Sequence, residues 1–263
     1  MILEAILANT RVELARRKAE QPEGTLRERL GDLPPTISLL EALRRPGISI
    51  IAEIKRASPS RGPLRMELEP AELAVTYASA GADAISILTE TAYFHGALTD
   101  LRAAQQALAS AGRRCPLLRK DFIIDPYQLM EARVWGADAV LLIATALDDA
   151  ALANLFDNAL DLGLMPLVEI HDEMELRRVL PLHPPLIGIN NRNLRDFSVS
   201  LETTRRLRPL IPPACVVVSE SGIHTPAHIR ELVGLHVQAA LIGEALVTAA
   251  DPAARLRELK DVG

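Results

Sequence analysis

Eight short apolar runs of strand length recur between residues 48 and 243, and segments with helical spacing separate them. Strands that alternate with helices are typical of a parallel sheet, and eight such units in about 215 residues indicate a closed barrel. An open doubly wound sheet usually has fewer strands and often carries a GxGxxG turn, which is absent here. The predicted fold class is therefore α/β, a (β/α)8 barrel. The apolar runs lie at 48–55, 83–88, 116–120, 138–144, 165–170, 185–190, 215–220 and 239–243.

The segments between the runs carry helix-start signals. Pro70, Pro126 and Pro226 each stand in the first turn of such a segment, where proline removes no helical hydrogen bond. A weak internal repeat supports the same reading, because AGADA at 80–84 recurs as WGADA at 135–139, both at helix-to-strand junctions. Repeated strand–helix units are what a barrel of this kind requires.

Residues 1–46 do not follow this alternation. Two helix-like pieces, at 2–20 and 36–44, flank a link that contains glycine and proline. We expect one domain over residues 1–263, in which 1–46 form a helical extension packed on the barrel. Capping one end of the barrel is the structural interpretation and covering the active-site mouth is the functional one, and the two are compatible.

Charge and hydropathy exclude several classes of partner. The net charge is −5 and no basic stretch is interleaved with aromatic residues, so we expect no nucleic-acid partner. No apolar stretch approaches the ~20 residues of a membrane span, and the first residues, which include Glu4, lack the apolar run of a signal peptide. We therefore expect a cytoplasmic protein that binds no membrane. A monomer is expected, with an oligomer left open.

Cysteine and histidine usage argues against disulfides and metals. Cys115 and Cys215 each open an apolar run, in strands on opposite sides of the predicted ring, too far apart for a disulfide. No CxxC or HxH pair is present and the six histidines are scattered. The sequence thus predicts no metal site and no cofactor.

Lysine is rare in this chain. Only four of its 29 basic residues are lysines, yet Lys55 and Lys120 both end apolar runs. Arginine cannot release its proton in a protein, whereas a buried lysine shifts its pKa and can exchange protons. Chance placement is the alternative, but an ionisable group buried without a role is costly.

Polar side chains gather where the predicted strands end. On the first strand Ile51, Glu53 and Lys55 alternate toward the barrel axis, because residues two apart share a face. Active sites of this fold lie at the C-terminal ends of the strands. A structural ion-pair layer is the alternative interpretation of the same groups. The six candidate catalytic residues, from five strands, are Glu53, Lys55, Lys120, Glu169, Asn190 and Glu220.

Two glycine turns predict a phosphate site. Ser221 and Gly222 follow the seventh strand, and Gly243 and Glu244 follow the eighth, each turn running into a helical segment. Glycine lets backbone N–H groups approach an anion, and the loops after strands seven and eight are the usual phosphate site of this fold. The loop at 58–62, after the first strand, would add a wall. Each glycine taken alone is more often an ordinary turn.

Long ordered motifs resemble those of the indole-3-glycerol phosphate synthase family. The similarity runs nearly end to end and includes the opening ILEAIL and the Pro34–Pro35 link. The length is similar to that of a stand-alone member of this family. The motifs that carry the resemblance are IAEIKRASPS at 51–60, LRKDFIIDPYQ at 118–128, LVEIH at 167–171, GINNRNL at 188–194 and VSESGI at 218–223.

This resemblance implies ring closure of 1-(2-carboxyphenylamino)-1-deoxyribulose 5-phosphate to indole-3-glycerol phosphate, with loss of CO₂ and water, in tryptophan biosynthesis. It implies that Lys120 is the general acid and that Lys55 holds the substrate carboxylate and can share the proton transfers. Glu169 would be the general base and Glu53 would tune Lys55. Asn190 and Glu220 would hold the sugar hydroxyls and the reacting nitrogen.

The same resemblance implies a set of substrate-binding positions. Phe94 would pack on the aromatic ring, although an exposed phenylalanine is more often ordinary loop packing. Arg192 would lie near the carboxylate end, its alternative being a salt bridge within the loop. Ser221 is a further substrate-binding position. The phosphate would be held by the backbone around Ser58, Gly222, Gly243 and Glu244.

The chain departs from the family pattern away from these residues. Ala97 stands where serine is common, and Ile37 and Leu39 replace a frequent arginine and phenylalanine, while Ala5 and Thr10 stand where lysines are usual. We expect these changes to bear on how the extension fits over the site.

Two other functions stay open on sequence grounds. A Schiff-base aldolase on the same barrel would use Lys120 or Lys55 as its nucleophile. A sugar-phosphate-binding barrel would bind a phosphorylated small molecule without turnover.

Overall fold

Eight parallel strands form a closed barrel in the computed structural model, which describes residues 2–193 and 196–262. Each strand pairs with its neighbours in sequence, and β8 closes on β1 through pairs such as Ser49 with Ala239. This confirms the predicted fold class; Leu194, the last residue of the 188–194 motif, lies outside the described residues. The strands are β1 Ser49–Ile54, β2 Ala84–Leu88, β3 Leu117–Lys120, β4 Ala139–Ile143, β5 Met165–Ile170, β6 Leu186–Asn190, β7 Val216–Glu220 and β8 Ala239–Ile242.

Helices connect successive strands, and a short hairpin of Ala57–Ser58 with Gly62–Pro63 follows β1. The predicted helix starts are confirmed: Pro70, Pro126 and Pro226 each occupy a first turn. The helices are α1 Ile2–Glu20, α2 Glu23–Leu30, α3 Leu39–Leu43, α4 Pro70–Ser79, α5 Leu98–Ser110, α6 Pro126–Val134, α7 Asp149–Asp161, α8 Glu173–Val179, α9 Glu202–Leu207, α10 Pro226–Gly234, α11 Glu244–Val247 and α12 Pro252–Lys260.

The core has two layers, one inside the barrel and one between the barrel and its helices. Ile51 packs inside with residues such as Leu118 and Leu167, whereas Ile50 and Ala52 pack outside against the helices. The alternation predicted for β1 is therefore confirmed. It turns Glu53 toward the barrel axis, because side chains on a strand point to opposite faces in turn.

The N-terminal extension closes the bottom of the barrel. Leu39 and Leu43 of α3 are fully buried in the inner cluster, beside Leu186 and Val216 near the starts of their strands. Leu39 therefore lies at the opposite end from the strand C-termini. The expectation that the departure at Leu39 affects a cover over the mouth is wrong for this reason.

The link at 21–35 is not irregular throughout, which corrects the sequence prediction. Its residues 23–30 form α2, whose Leu26 is fully buried against Tyr127 and Met130 of α6. Helix formation here depends on tertiary packing rather than on propensity, because short helices are marginal alone. These shared apolar contacts support our proposal that extension and barrel form one domain.

Cys115 and Cys215 are buried free thiols. Burial raises the pKa of Cys115 to about 12 and that of Cys215 to about 11. In the described part of the chain, no helix combines the length and hydropathy needed to cross a bilayer.

Candidate active site

The six predicted rim residues lie in one pocket at the C-terminal mouth of the barrel. Lys120, the last residue of β3, is central: its Nζ lies 3.1 Å from Glu169 Oε2 and 3.2 Å from Glu220 Oε2. Lys55 Nζ lies 2.6 Å from Glu53 Oε1 on the neighbouring side. Asn190 from β6 lines the same pocket. Strand ends distant in sequence thus meet around one cavity.

Burial and charge act in opposite directions on the Lys120–Glu169 pair. Burial acts to lower the pKa of Lys120, but Glu169, Glu220 and Glu53 outweigh it and the pKa lies above its usual range. Burial likewise acts to raise the pKa of Glu169, but Lys120, His171 and Asn190 outweigh it. The pKa of Glu169 therefore lies below its usual range. The resting site therefore holds an ammonium and a carboxylate, a charged acid beside a charged base.

Glu220 differs from Glu169 in its electrostatic surroundings. Burial raises its pKa to about 7, although Lys120 acts in the opposite direction, and the nearby Glu169 charge adds to the rise. Two carboxylates that share one ammonium are pushed apart in pKa, because both cannot be equally compensated. Glu220 is thus the carboxylate of the pair whose pKa is raised, while the pKa of Glu169 is lowered.

Two glycines leave space for the carboxylates of Glu53 and Glu220. A Cβ at Gly243 would lie 2.3 Å from Glu53 Oε1, and a Cβ at Gly188 would lie 2.3 Å from Glu220 Oε1. Gly243 was predicted as a phosphate-site residue, and the structure gives it this second role. No role was predicted for Gly188, because the space that it leaves for Glu220 depends on the register of neighbouring strands.

A loop after β2 brings Phe94 to the pocket. The buried Glu90 accepts hydrogen bonds from the backbone N–H groups of Ala92, Tyr93 and Phe94, which fixes the turn. The Phe94 ring centroid lies 6.2 Å from that of Phe122, and both rings line the cavity. Phe122 was missed in the sequence analysis. It directly follows Asp121 after β3, so its position beside a rim lysine was the available signal.

The predicted phosphate-site residues meet on one side of the pocket. Ser58, Ser221 and Gly222 line it together with Gly243 and Glu244. Ser221 has φ +68° and Gly222 has φ +79°, so the turn after β7 is left-handed at two successive residues. A non-glycine residue in this region is uncommon and tends to occur at functional sites.

The Glu244 side chain has its own partner on this side of the pocket. Its Oε1 lies 3.0 Å from Nη2 of Arg61, which belongs to the loop after β1. Glu244 is also the first residue of α11, and the first amides of a helix have no intrahelical acceptor. Any contact to an anion at this position would come from the backbone, because the carboxylate itself would repel the anion.

Arg192 lies between the main pocket and a second, polar cavity, and it lines both. Its backbone N–H donates to Asn190 Oδ1 over 3.0 Å, and its Nη1 donates to Phe197 O over 3.4 Å. The alternative for Arg192 was a salt bridge within the loop; among the described residues its side chain instead makes this hydrogen bond to a carbonyl. With this hydrogen bond, the Arg192 side chain lies at the wall of the main pocket.

Helix α1 covers part of the mouth. Its residues Ile2, Leu3 and Ile6 line the pocket. The extension thus reaches both ends of the barrel, with α3 at the bottom and α1 at the mouth, and this placement supports both interpretations of residues 1–46.

A buried arginine next to Lys120 was also missed. Arg119 is fully buried and lies 2.8 Å from Asp121 Oδ2 through Nη2, and it donates to Gln128 O over 2.7 Å. Its Nη1 is 3.5 Å from Glu131, which in turn pairs with Arg17 of α1 at 2.9 Å. This network ties the strand that carries Lys120 to α6 and to the cover. In the sequence LLRK, nothing indicated that the Arg119 side chain would be buried.

Over residues 2–193 and 196–262, no cluster of three or more His, Cys, Asp or Glu side chains has the arrangement of a metal site. The pocket itself combines ionisable groups with apolar walls. A (β/α)8 barrel whose strand ends present such groups to one cavity is the arrangement of a barrel enzyme.

Comparison with known proteins narrows this class. The family model described as indole-3-glycerol phosphate synthase matches residues 3–259. The indole-3-glycerol phosphate synthase of Dehalococcoides mccartyi strain CBDB1 is 46% identical over 260 residues, covering 98% of this chain and 100% of that protein. That of Roseiflexus sp. strain RS-1 is 48% identical over 264 residues, covering 98% and 97%. The chain belongs to the indole-3-glycerol phosphate synthase family, whose members are decarboxylating lyases of tryptophan biosynthesis, and it is an enzyme of that class.

Solved structures of lower identity agree on the fold. The 3-hexulose-6-phosphate synthase of Salmonella typhimurium superposes with a TM-score of 0.65 at 15% identity, covering 82% of this chain and 98% of that one. Thiamine phosphate pyrophosphorylase of Pyrococcus furiosus gives a TM-score of 0.61 at 17% identity, covering 86% and 97%. At this identity the likeness concerns the barrel alone.

Proposed function

We propose that this enzyme closes the indole ring of 1-(2-carboxyphenylamino)-1-deoxyribulose 5-phosphate and releases CO₂ and water, with lysine as general acid and glutamate as general base. The observation that carries the proposal is the contact of Lys120 with both Glu169 and Glu220, in the pocket that also contains Lys55. Family membership supports the same reaction.

The first step forms a carbon–carbon bond. The ring carbon that bears the carboxylate attacks the sugar C2 carbonyl, and the carbonyl oxygen becomes an alkoxide that needs a proton. Lys120 supplies it: its raised pKa keeps the ammonium charged at neutral pH, and an alkoxide is more basic than the amine left behind. Lys55 holds the substrate carboxylate, with Glu53 fixing the ammonium at 2.6 Å.

The second half removes CO₂, water and one proton. The bond to the carboxylate breaks and its electron pair returns to the ring system. The hydroxyl then leaves with a proton from a lysine, and Glu169 takes the proton from the carbon next to nitrogen, which completes the aromatic ring. The lowered pKa of Glu169 keeps it ionised and ready to accept that proton.

Binding of the substrate uses the two sides of the pocket. The phosphate lies against the backbone near Ser58, Gly222 and Gly243, and the aromatic ring packs on Phe94 below α1. Glu220 and Asn190 hold the sugar hydroxyls and the reacting nitrogen, while Arg192 lies near the carboxylate. Their shared lining of one pocket supports this assignment.

The test is an assay with the carboxyphenylamino substrate. Indole fluorescence should appear together with one CO₂ per product. Tight binding of the substrate without fluorescence or CO₂ would instead support a sugar-phosphate-binding barrel and contradict the proposal.

An aldolase is the second candidate, because Lys120 and Lys55 both face the cavity. The ion pairs of both amines argue against it, since a Schiff-base lysine must be neutral to attack a carbonyl. Borohydride added with substrate should leave the protein mass unchanged. A stable adduct on either lysine would favour the aldolase.

We infer that the partner is a phosphorylated small molecule, that the enzyme binds neither nucleic acid nor membrane, and that it uses no metal or cofactor. A cytoplasmic monomer is part of the same proposal and is supported by the biosynthetic family and by the net charge of −5.

A further inference from the structure

His171 stands behind the proposed base, between two carboxylates. Its Nε2 lies 3.3 Å from Glu169 Oε1, within ion-pair distance but without hydrogen-bond alignment, and its Nδ1 lies 3.1 Å from Glu175 Oε2. It is largely buried, and it lines the second cavity rather than the substrate pocket. No role was assigned to His171 from the sequence, where it only follows Glu169 and Ile170.

The start of α8 fixes this histidine in place. Asp172 caps the helix by accepting from the N–H groups of Met174 and Glu175. Glu175 in turn reaches back, and its Oε2 accepts from the backbone N–H of His171 over 2.8 Å as well as facing Nδ1. The Glu175 carboxylate therefore contacts both the backbone and Nδ1 of His171 before any substrate binds.

The neighbours of the ring determine its charge. An ionised carboxylate can only accept hydrogen bonds, so Nδ1, which faces Glu175, carries a proton. Nε2 faces a second carboxylate oxygen at 3.3 Å, and a proton there makes the ring an imidazolium. Burial acts to lower the pKa of His171, but Glu169 and Glu175 outweigh it and raise the pKa to about 10. The charged residues that line its cavity are Glu4, Asp172, Glu175, Arg192 and Arg206.

We propose that His171 is a positioning residue whose imidazolium keeps Glu169 ionised and oriented while Lys120 gives up its proton. Lys120 from β3 and His171 from the end of the Glu169 strand both act on Glu169 as cations, and Asn190 adds a neutral donor. When Lys120 becomes neutral, Glu169 would lie beside Glu220 and keep His171 as a countercharge. An uncompensated buried carboxylate takes up a proton and can no longer act as a base.

This inference rests on the proposed function and is tested with the same substrate. In His171→Asn, loss of the countercharge should raise the pKa of Glu169. Because the base must be ionised, the acid limb of the kcat profile should move to higher pH by about one unit or more. KM should change less than about threefold, since His171 does not line the substrate pocket. His183→Asn is the matched control, an exposed histidine whose replacement should change neither quantity.

Two further measurements keep the inference testable if His171→Asn does not fold. Glu175→Gln removes one of the two carboxylates that hold the imidazolium and should shift the acid limb in the same direction by a smaller amount. NMR of the wild-type imidazole nitrogens should find His171 doubly protonated at pH 8. This last readout does not depend on turnover, so it separates failure of the inference from failure of the proposed function.

An unchanged acid limb in an active, folded His171→Asn enzyme would overturn the inference, as would a neutral His171 at pH 7.5. A kcat loss that is the same at every pH would also contradict it, because that result indicates a structural role only. If the wild-type enzyme forms no indole product, the proposed function fails while the charge-state prediction is still decided by NMR.

Discussion

The pocket at the barrel mouth contains a few side chains whose charges are matched in pairs. Lys120 faces Glu169 and Glu220, and Lys55 faces Glu53, so each lysine has a carboxylate partner within the pocket. The absence of a side chain at Gly243 is as much a part of the site as the charges, because it leaves room for the Glu53 carboxylate.

Lys120→Arg should keep the positive charge but lose the ability to donate a proton. A guanidinium does not release its proton, so kcat should fall by at least about 10²-fold while the fold is retained. Steady-state kinetics with indole fluorescence measures this. Lys18→Arg is the control, because Lys18 forms an ion pair with Asp125 at 2.7 Å outside the pocket. Near-normal turnover of Lys120→Arg would remove Lys120 from the acid role.

Gly243→Ala should impair activity more than stability. The new methyl group must displace the Glu53 carboxylate. Misplacing a group of the site by about 1 Å costs about 10- to 100-fold in kcat/KM. The free energy of unfolding should change by about 1 kcal/mol or less, because Gly243 has a negative φ and the nearest atom, Glu53 Oε1, ends a flexible side chain. Gly234→Ala, which meets no atom within 4 Å, should leave activity unchanged. Equal kinetics of the two variants would contradict the role given to Gly243.

Among the helices and strands, the extension performs two separate tasks. Helix α3 fills the bottom of the barrel with Leu39 and Leu43, whereas α1 covers the mouth with Ile2, Leu3 and Ile6. The two tasks predict opposite effects of the same substitution in the two helices.

Leu43→Ala should destabilise the protein without changing substrate binding. Its side chain is fully buried, and truncation there costs about 2–5 kcal/mol through lost packing and a cavity. Chemical denaturation would measure the loss. A raised KM together with unchanged stability would contradict the assignment of α3 to the bottom of the barrel.

Leu3→Ala should have the converse effect. Leu3 is only half-buried and lines the pocket, so KM should rise about fivefold, which corresponds to about 1 kcal/mol of lost contact, with little change in unfolding. Unchanged KM would mean that α1 does not contribute to the bound state.

Seen as a whole, the molecule encloses both of its cysteines. Because burial raises the pKa of Cys115 to about 12 and of Cys215 to about 11, neither forms appreciable thiolate at pH 8. A chromogenic disulfide reagent should find no fast-reacting thiol in the native protein and two after denaturation. Rapid labelling of either thiol in the native state would show that the barrel opens near it.

The barrel and its rim could be predicted from sequence, because strand alternation and strand ends are local patterns. Glu53, Lys120 and Glu169 follow directly from that reasoning. Helix α2 could not, because it depends on the burial of Leu26 against another helix. The roles of Gly188 and Arg119 also depend on neighbouring strands and helices, which a single chain does not reveal.

The most direct test of the proposed active site is a crystal structure with indole-3-glycerol phosphate bound. The phosphate should contact the backbone at Ser58, Gly222 and Gly243, and the indole should lie against Phe94 with Lys120 Nζ within about 3.5 Å of a product oxygen or an intervening water. Product bound outside this pocket, or Lys120 and Glu169 both out of reach of it, would contradict the account.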